Sequence, residues 1–421
     1  MANLKVCIDS RIVSGTSGGI ESVLIGLASG LSKLESTSEE YLFLSYQSSN
    51  DWLKPYIQGP CRLLDCKEPL EIFLKKQYLR FTPVIRRDLQ GKILKALGAA
   101  RGGRNIPESD GTIEAANIDI MHFIRQDAFL TGVPSIYHPH DLLHIHHPEL
   151  FSEDERKSRS SRYQAFGRAA QIVAVTSTWI KNDLISNLGL NDSKVKVIPF
   201  APVLSKYREP NPESISNIRT KYAIHEPFIL YPAQTWPHKN HENLFRALSI
   251  LKTKAEISIP LICTGGLNEY YTQLKQKISE FDLEDTVKFL GFVDSAELRA
   301  LYSICRAVIV PSRFEAASGP VWEAFAAGAP VACSNVTSLP LQVGDAGLLF
   351  DPNRQAEMAD TIERLWRDSD LRSKLIVRGK ERLQHFSWDK SARHFRAYYR
   401  LIAGEELSNE DRLLMEAPTY I

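Results

Sequence analysis

Two glutamates, Glu315 and Glu323, stand eight positions apart in the stretch FEAASGPVWEAFAAGAP, residues 314–330. The preceding apolar run AVIVPS predicts a parallel strand and GPVWEAFAAG predicts a helix, so Glu315 falls in the connecting loop and Glu323 about one turn into the helix. Backbone amides at a helix start lack partners and can bind hydroxyl or phosphate oxygens. Two carboxylates beside such amides suit a hydroxyl-rich ligand. By spacing alone, a capping acid and an ordinary surface glutamate fit the pattern better.

A second candidate is a histidine-rich segment. Five histidines fall within ten residues: His138, His140, His144, His146 and His147. Zinc sites use histidine, but they require a fixed geometry and supporting partners. Two prolines interrupt this run, so an interpretation without a bound metal is favoured, and a metal site is the alternative.

Short apolar runs alternate with amphipathic stretches along the chain, as is typical of parallel sheets covered by helices. In the first half the predicted strands are LKVCID, YLFLSY, IDIMHFI, PSIYHP, QIVAVTS and KVKVIPF. In the second half they are FILYPAQ, PLICTGG, TVKFLGF, AVIVPS, PVACS and GLLF, and after LLFDPN the chain is predicted to be helical. The polar segment 201–222 reads as a linker between two such units. Ligands bind at the carboxyl ends of strands in these sheets, so a cleft between two domains is the predicted site.

Composition excludes several classes of partner. The hydrophobic and charged fractions, 43% and 24%, are those of a soluble globular protein. The formal net charge of +1 gives no nucleic-acid-binding signature. No apolar run approaches the ~20 residues that span a bilayer, and the amino terminus does not read as a signal peptide. Six scattered cysteines favour a reducing compartment, so a cytoplasmic location is predicted.

One segment departs from this charge balance. Residues 71–104 hold nine basic residues and two acidic ones, with apolar residues interleaved. A basic amphipathic segment of this kind lies on an anionic membrane surface or forms a solvated face of the first domain. The sequence leaves both interpretations open.

Several motifs resemble the retaining glycosyltransferases of family four, which have the GT-B fold: the block with the two glutamates, YPAQTWPHKNHENLFRAL, LICTGG, GTSGGIESVLIGLASGL and YHPHDLLHIHHPELF. The resemblance covers most of the chain except the basic segment. PAQTWPHKNHENL with FEAASGP is similar to a bacterial branch containing mannosyltransferases for surface polysaccharides. The resemblance implies an α/β protein with two Rossmann-like, doubly wound domains facing across a cleft. Residues 1–205 would bind the acceptor, residues 206–388 would bind the nucleotide-sugar donor, and helices in residues 389–421 would cross back to the first domain.

The resemblance also implies roles for individual residues. Lys239 would neutralise the donor pyrophosphate, His140 and Glu315 would contact the transferred sugar, and Glu323 would hold the ribose. The remaining donor-binding residues implied are Gly18, Gly19, Gln234, Ala317, Ser318, Gly319, Thr337 and Ser338. This chain departs from the family at three places: Gln234 stands where many relatives have arginine, EAASGP replaces EGFGLP, and Leu341 replaces a glutamate.

The implied reaction is transfer of a hexose from a nucleotide sugar to a glycan or lipid-linked glycan, at the cytoplasmic face of the membrane. Mannose from GDP-mannose is the favoured donor. Retention is explained by front-side transfer, in which the leaving phosphate accepts the acceptor's proton, and neither a metal nor another cofactor is expected. Two alternatives are a UDP-hexose-dependent transferase of the same fold and a non-catalytic nucleotide-sugar-binding protein. Base, sugar, linkage, acceptor and oligomeric state stay open.

Overall fold

The structure is a computed structural model that describes residues 3–14, 19–35, 38–47, 50–67, 106–203, 209–417 and 421. Gly18 and the basic segment 71–104 lie outside these residues. The six cysteines are all unpaired. No helix in the described ranges combines the length and the apolar character needed to cross a bilayer.

The first half of the chain forms a parallel sheet with the order β3-β2-β1-β4-β5-β6-β7. Its strands are β1 (Leu4–Asp9), β2 (Glu39–Tyr46), β3 (Cys61–Cys66), β4 (Ile120–Phe123), β5 (Ser135–Tyr137), β6 (Ile172–Val175) and β7 (Val195–Val197). The strand order reverses between β1 and β4, which is the switch point where doubly wound sheets bind ligands. Six of these strands were predicted.

The strand missing from the prediction is β3. It lies at the edge of the sheet and pairs only with β2. An edge strand is less buried, and here Arg62 and Asp65 are exposed and interrupt the apolar run. The hydrophobic pattern that marks the central strands is therefore absent.

The second half forms a parallel sheet with the order β10-β9-β8-β11-β12-β13. Its strands are β8 (Ile229–Pro232), β9 (Leu261–Thr264), β10 (Val287–Phe289), β11 (Ala307–Val310), β12 (Val331–Ser334) and β13 (Gly347–Phe350). All six were predicted, and the order again reverses beside the first strand, between β8 and β11. The prediction of two doubly wound domains is confirmed.

Helices cover both sheets, and several begin at polar caps such as Ser152, Ser177 and Asp294, whose side chains accept backbone N–H bonds. In the described residues they are α1 (Gly19–Ser32), α2 (Thr112–Ala115), α3 (Leu143–His146), α4 (Glu153–Ala169), α5 (Thr178–Leu188), α6 (Pro212–Lys221), α7 (His241–Lys254), α8 (Tyr271–Glu280), α9 (Ser295–Ile304), α10 (Gly319–Ala327), α11 (Leu339–Val343), α12 (Gln355–Arg367), α13 (Ser369–Leu383), α14 (Trp388–Ala403) and α15 (Asn409–Glu416).

Helix α14 packs against α1, on the first sheet, although it follows the second sheet in sequence. The indole of Trp388 fills the space at Gly26, where an added Cβ would lie 2.0 Å from the ring. At Gly30 an added Cβ would lie 2.5 Å from the Trp388 carbonyl oxygen. Ser391 Oγ donates to Pro199 O at 2.6 Å, which joins α14 to the segment that leaves the first sheet. These two glycines therefore let the helices meet at backbone distance.

Candidate functional site

A cavity of about 340 Å³ lies between the carboxyl ends of the two sheets. We call its two sides the first-sheet wall and the second-sheet wall. The first-sheet wall contains Gly19, Gln126, His140, Asp141, Thr176 and Phe200, and the second-sheet wall contains Glu315, Ala317, Gly319, Trp322 and Glu323. Trp388 also lines the cavity. A cleft between two domains with convergent polar groups is where a small ligand is expected to bind.

Glu315 lies in the loop between β11 and α10, and hydrogen bonds hold this loop from two directions. Glu315 Oε1 accepts from Ser312 Oγ at 2.7 Å. The Glu315 carbonyl oxygen accepts from Thr337 Oγ1 at 2.7 Å and from Ser338 Oγ at 2.8 Å, while its N–H donates to Thr337 Oγ1 at 3.2 Å. Within the described residues no hydrogen bond uses Glu315 Oε2. The carboxylate is thus fixed by one oxygen and offers the other to a ligand.

Lys239 ends the short 3-10 turn Pro237–Lys239 that follows β8. Its Nζ donates to Glu315 Oε1 at 2.7 Å, and the two side chains are only 21% and 11% exposed. The next residue, Asn240, fixes the turn because its Nδ2 donates to the carbonyl oxygens of Pro311 and Pro352, each at 2.9 Å. A positive and a negative charge therefore stand side by side at the edge of the cavity.

Three non-glycine residues at this site have left-handed backbones: His140 with φ 63°, Asn240 with φ 62° and Thr337 with φ 51°. Such conformations cost on the order of 1 kcal/mol or more each and persist where the surrounding structure enforces them. For the β-branched Thr337, the paired hydrogen bonds with Glu315 supply that enforcement. This concentration of backbone strain marks the cavity as the functional site.

The start of α10 is held by a buried glutamine. Gln342 Oε1 accepts from the Ser318 N–H at 2.9 Å, and Gln342 Nε2 donates to the Ser318 carbonyl at 2.7 Å. One turn into the helix, Glu323 Oε2 accepts from Tyr302 OH at 2.8 Å. The Ser318 amide is therefore already used, and the unpaired N–H groups of the first turn of α10 remain for a ligand anion.

His140 faces the second-sheet wall from the first sheet. Its Nε2 donates to the Ile124 carbonyl at 2.6 Å, so the ring proton is on Nε2 and Nδ1 is an acceptor. Burial lowers the pKa of His140, which keeps the ring neutral near pH 7. The adjacent Asp141 accepts from the Leu143 N–H at 3.0 Å, and burial raises its pKa. A neutral imidazole and a buried carboxyl group thus form the polar part of the first-sheet wall.

The two walls touch beside Glu315. Phe314 is 4% exposed, and its ring lies 5.3 Å from that of His146, 6.1 Å from that of His147 and 5.9 Å from that of Trp179, measured between centroids. Two residues further on, the Ala316 carbonyl accepts from Thr176 Oγ1 at 3.2 Å. We call these three rings of the first half the aromatic clamp. The first domain therefore holds the residues on both sides of Glu315.

Comparisons with known sequences agree with this two-domain site. The family model described as "Glycosyltransferase Family 4" matches residues 79–201, and the one described as "Glycosyl transferases group 1" matches residues 214–382. One match falls on each side of the cavity. The chain belongs to family four of the GT-B glycosyltransferases.

Curated relatives of this glycosyltransferase include two mannosyltransferases of Escherichia coli. O-antigen chain mannosyltransferase B is 27% identical over 264 residues, which cover 62% of the present chain and 69% of that protein. The serotype-specific mannosyltransferase WbdA is 26% identical over 303 residues, covering 66% of the present chain. The match spans 37% of the length of WbdA.

Solved structures show the same fold as this glycosyltransferase. HepE of Anabaena, crystallised with UDP and glucose, has a TM-score of 0.67 at 20% identity, with 94% of the present chain and 99% of HepE covered. Sucrose-phosphate synthase of Thermosynechococcus elongatus has a TM-score of 0.67 at 19% identity, with 96% and 100% covered. Two facing Rossmann-like domains are thus the shared architecture.

The structure brings most of the predicted site residues of the glycosyltransferase together. Those that line the cavity are Gly19, His140, Glu315, Ala317, Gly319 and Glu323. Lys239 joins them through its ion pair with Glu315. Thr337 and Ser338 hold the loop by hydrogen bonds to Glu315, and Ser318, at the end of the loop, is itself held by Gln342. Gln234 lies apart from the cavity, where its Oε1 accepts from Trp236 Nε1 at 2.7 Å. Gly18 is outside the described residues.

Sequence reasoning missed five residues that shape the site: Asp141, Thr176, Tyr302, Phe314 and Gln342. A signal existed for Asp141, which follows His140 in the quoted motif. For Gln342 and Tyr302 there was none, because each lies more than twenty residues from the group that it bonds. Their roles come from tertiary contacts, not from a local pattern.

The histidines of the histidine-rich segment do not share a common partner. The four other histidines bond to different partners: His138 to His122 at 2.8 Å, His144 to Ser160 at 3.1 Å, His146 to Asp183 at 2.7 Å and His147 to Glu149 at 3.0 Å. Among the described residues, no three His, Cys, Asp or Glu side chains converge as a metal site requires. In the glycosyltransferase these histidines pack and bond the first-sheet wall.

Proposed function

We propose that this glycosyltransferase transfers mannose from GDP-mannose to a glycan or lipid-linked glycan, with retention of the anomeric configuration. The observation that carries the proposal is the Lys239–Glu315 pair and Glu323 facing His140 across one cavity. This set provides a cation for a diphosphate, carboxylates for sugar and ribose hydroxyls, and a neutral imidazole. The mannosyltransferase names of the E. coli relatives support the choice of sugar.

Donor binding would rearrange the ion pair. Lys239 Nζ would move from Glu315 Oε1 toward the diphosphate, while Glu315 stays fixed by Ser312 and by its backbone bonds. Glu315 Oε2, the oxygen that Ser312 does not bond, would then accept from a sugar hydroxyl. The first-turn amides of α10 would add partial positive charge near the leaving group. Catalysis in this scheme comes from positioning and from charge stabilisation that is already in place.

The transfer step is a front-side substitution. An acceptor hydroxyl oxygen forms a bond to the anomeric carbon, the bond from that carbon to the β-phosphate oxygen breaks, and the hydroxyl proton passes to a phosphate oxygen. His140 would orient the sugar through Nδ1, because its Nε2 proton is committed to the Ile124 carbonyl. The positive charge is supplied by Lys239 and the α10 amides, so no metal is required in this proposal.

The aromatic clamp gives domain closure a role in this mechanism. Phe314 and Ala316 contact the first domain on either side of Glu315. We expect these contacts to form when the domains close, so that Glu315 is fully positioned only in the closed state. Water is excluded at the same moment.

The test is a panel of GDP- and UDP-sugars incubated with the purified protein, with nucleotide release as the readout and Glu315→Ala as the matched variant. Release of GDP from GDP-mannose, lost in Glu315→Ala, is the expected result, and proton NMR of the product should show the α-anomer retained. Preferential release of UDP would replace the donor with a UDP-hexose. Nucleotide-sugar binding without release, with polysaccharide-derived acceptors present, would favour the non-catalytic alternative. Unchanged turnover in excess EDTA checks the absence of a metal requirement.

A further inference from the structure

A second cavity, of about 520 Å³, lies at the opposite edge of the second sheet. Its wall includes Arg306, which directly precedes β11, and Pro330, which directly precedes β12. The cavity therefore faces the amino ends of these strands, whereas the cleft faces their carboxyl ends. A strand of four residues spans about 13 Å, so the length of the strands separates the two cavities.

Three arginines line this cavity, and we call it the arginine pocket: Arg219 on α6, Arg306 before β11 and Arg372 on α13. The Nζ of Lys380 stands next to them, beside Gly328 at the end of α10. No acidic residue belongs to the wall, and within the described parts of the chain none of these four cations forms an ion pair. The three arginines are half-buried and Lys380 is exposed, and burial disfavours a charge that lacks a close ion-pair partner.

The guanidinium groups are held in place with donors unused. Arg306 stacks over the ring of Trp366 with its Cζ 4.6 Å from the ring centroid. Arg372 Nη1 donates to the carbonyl oxygens of Leu365 and Trp366 at 2.8 and 3.0 Å. Arg219 donates one longer bond, 3.3 Å, to the Ile224 carbonyl. Each guanidinium has five N–H donors, so most of them have no hydrogen-bond partner in the described chain.

The negative ends of helix dipoles offset only part of this positive charge. The carboxyl termini of α9, α10 and α12 approach the pocket, and each carries about half a negative elementary charge. Together they offset about one and a half of the positive charges. Burial, and after it the neighbouring Arg306 charge, lowers the pKa of Arg372, while the Asp368 carboxylate opposes this shift. An excess of positive charge therefore remains for a ligand.

We infer that the arginine pocket binds a small polyvalent anion of the phosphate class, such as a diphosphate or a phosphate ester. Planar guanidinium groups recognise phosphate oxygens by paired hydrogen bonds, which suits three fixed arginines around one cavity. The site lies across the sheet from the cleft and is separate from the donor site. The inference does not depend on the proposed transfer reaction.

The test is calorimetric titration with inorganic pyrophosphate, because this probe can enter both cavities. Lys239→Ala is used as the background, since it removes the lysine that would hold pyrophosphate in the cleft. In that background the folded protein should still bind pyrophosphate, and the binding should raise the melting temperature. Adding Arg306→Gln and Arg372→Gln should weaken the affinity at least about tenfold and abolish the thermal shift.

The matched control is Arg378→Gln, because Arg378 lies on the same helix, α13, outside the pocket wall. It should leave pyrophosphate affinity unchanged at an ionic strength of about 0.15 M, where interactions between exposed charges are screened. Equal affinity with and without Arg306 and Arg372, an equal loss in the Arg378 variant, or no binding in the Lys239→Ala background would each overturn the inference. Melting curves of the variants show whether they are folded.

Discussion

The two walls of the cleft are built differently. On the second-sheet wall, Glu315 and the start of α10 are tied by hydrogen bonds to side chains that are themselves buried or half-buried. On the first-sheet wall, Gly19 and Phe200 present backbone and apolar surface. His140 also lines this wall, and its tautomer is fixed by the bond from Nε2 to the Ile124 carbonyl. The second-sheet wall is a network of charged groups fixed by hydrogen bonds, while the first-sheet wall combines apolar surface with a neutral imidazole and a buried carboxyl group.

This difference fits a division of labour in the proposed reaction. Stabilising the charge on a leaving diphosphate requires groups that do not need to reorganise, which the second-sheet wall provides. Accepting sugars of different linkage is better served by shape and apolar surface. The walls meet at Phe314, where the fixed loop enters the aromatic clamp. Variants on each wall and at this contact should separate the two kinds of contribution.

The largest effect is expected from Lys239→Ala on the second-sheet wall. It removes the cation and leaves Glu315 with an unpaired charge, so kcat for transfer should fall by about two to three orders of magnitude. Steady-state kinetics with the donor identified by the panel measure this. Lys254→Ala, at the exposed end of α7, is the control and should act like wild type. Near-normal turnover of Lys239→Ala would remove this residue from the mechanism.

Breaking the contact between the walls should have the next largest effect. Phe314→Ala empties the aromatic clamp next to Glu315, so kcat should fall at least about tenfold because the carboxylate is no longer held in position. Donor KM should change less. Phe314→Leu, which keeps most of the volume, should recover much of the loss, and Trp179→Ala should be non-additive with Phe314→Ala. Additive effects would mean that the two rings act separately.

On the first-sheet side, Gly26→Ala should act on stability and not on the chemistry. The added Cβ would overlap the indole of Trp388 at 2.0 Å. Overpacking of this kind costs about 1–3 kcal/mol, measured as the free energy of unfolding in urea. Gly132→Ala is the control, since an added Cβ there has nothing within 4 Å. Equal stability of the two variants would show that α1 and α14 separate easily.

The smallest effect is expected at His241, buried behind Lys239 with neither ring nitrogen hydrogen-bonded. His241→Phe removes an unpaired N–H and should stabilise the protein by about 1 kcal/mol at pH 7.5. Burial lowers the pKa of His241 to about 3, whereas unfolded histidine has a pKa near 6.5.

The sign of the pH effect follows from these two pKa values. Below pH 6.5 the unfolded state binds the proton and the folded state does not, so wild-type stability is lost as the pH falls toward 3. The advantage of His241→Phe should therefore grow by about 1 kcal/mol between pH 7.5 and 5.5. Urea unfolding at both pH values measures it. A constant difference would indicate that His241 has the same pKa in the folded and the unfolded state.

The sequence was sufficient where local pattern decides structure. Twelve of the thirteen described strands contain clear apolar runs and could be predicted, including the edge strands β7, β10 and β13. The run in β3 is interrupted by Arg62 and Asp65, and this strand could not be predicted. Glu315 and Glu323 were placed correctly in a loop and in a helix because the strand and helix around them have clear boundaries.

What the sequence could not provide is the partner of each site residue. Lys239 and Glu315 are separated by 76 positions, and their pairing depends on β8 and β11 being neighbours in the sheet. The hydrogen bonds between Gln342 and Ser318 depend on the same kind of long-range contact, and so does the aromatic clamp around Phe314. The sequence thus placed the candidate residues in their loops and helices, but it could not give the hydrogen bonds and ion pairs between them.

The packing of Trp388 against Gly26 determines where the chain can be cut or fused without disturbing the first domain. Helix α14 follows both sheets in the sequence, yet it packs on the first sheet, whose strands are synthesised before those of the second sheet. The first domain therefore lacks one of its covering helices until residues 388–403 have been synthesised. A fusion or truncation near the carboxyl end would consequently disturb the wall formed by the opening residues of the chain, and leave the Lys239–Glu315 side comparatively intact.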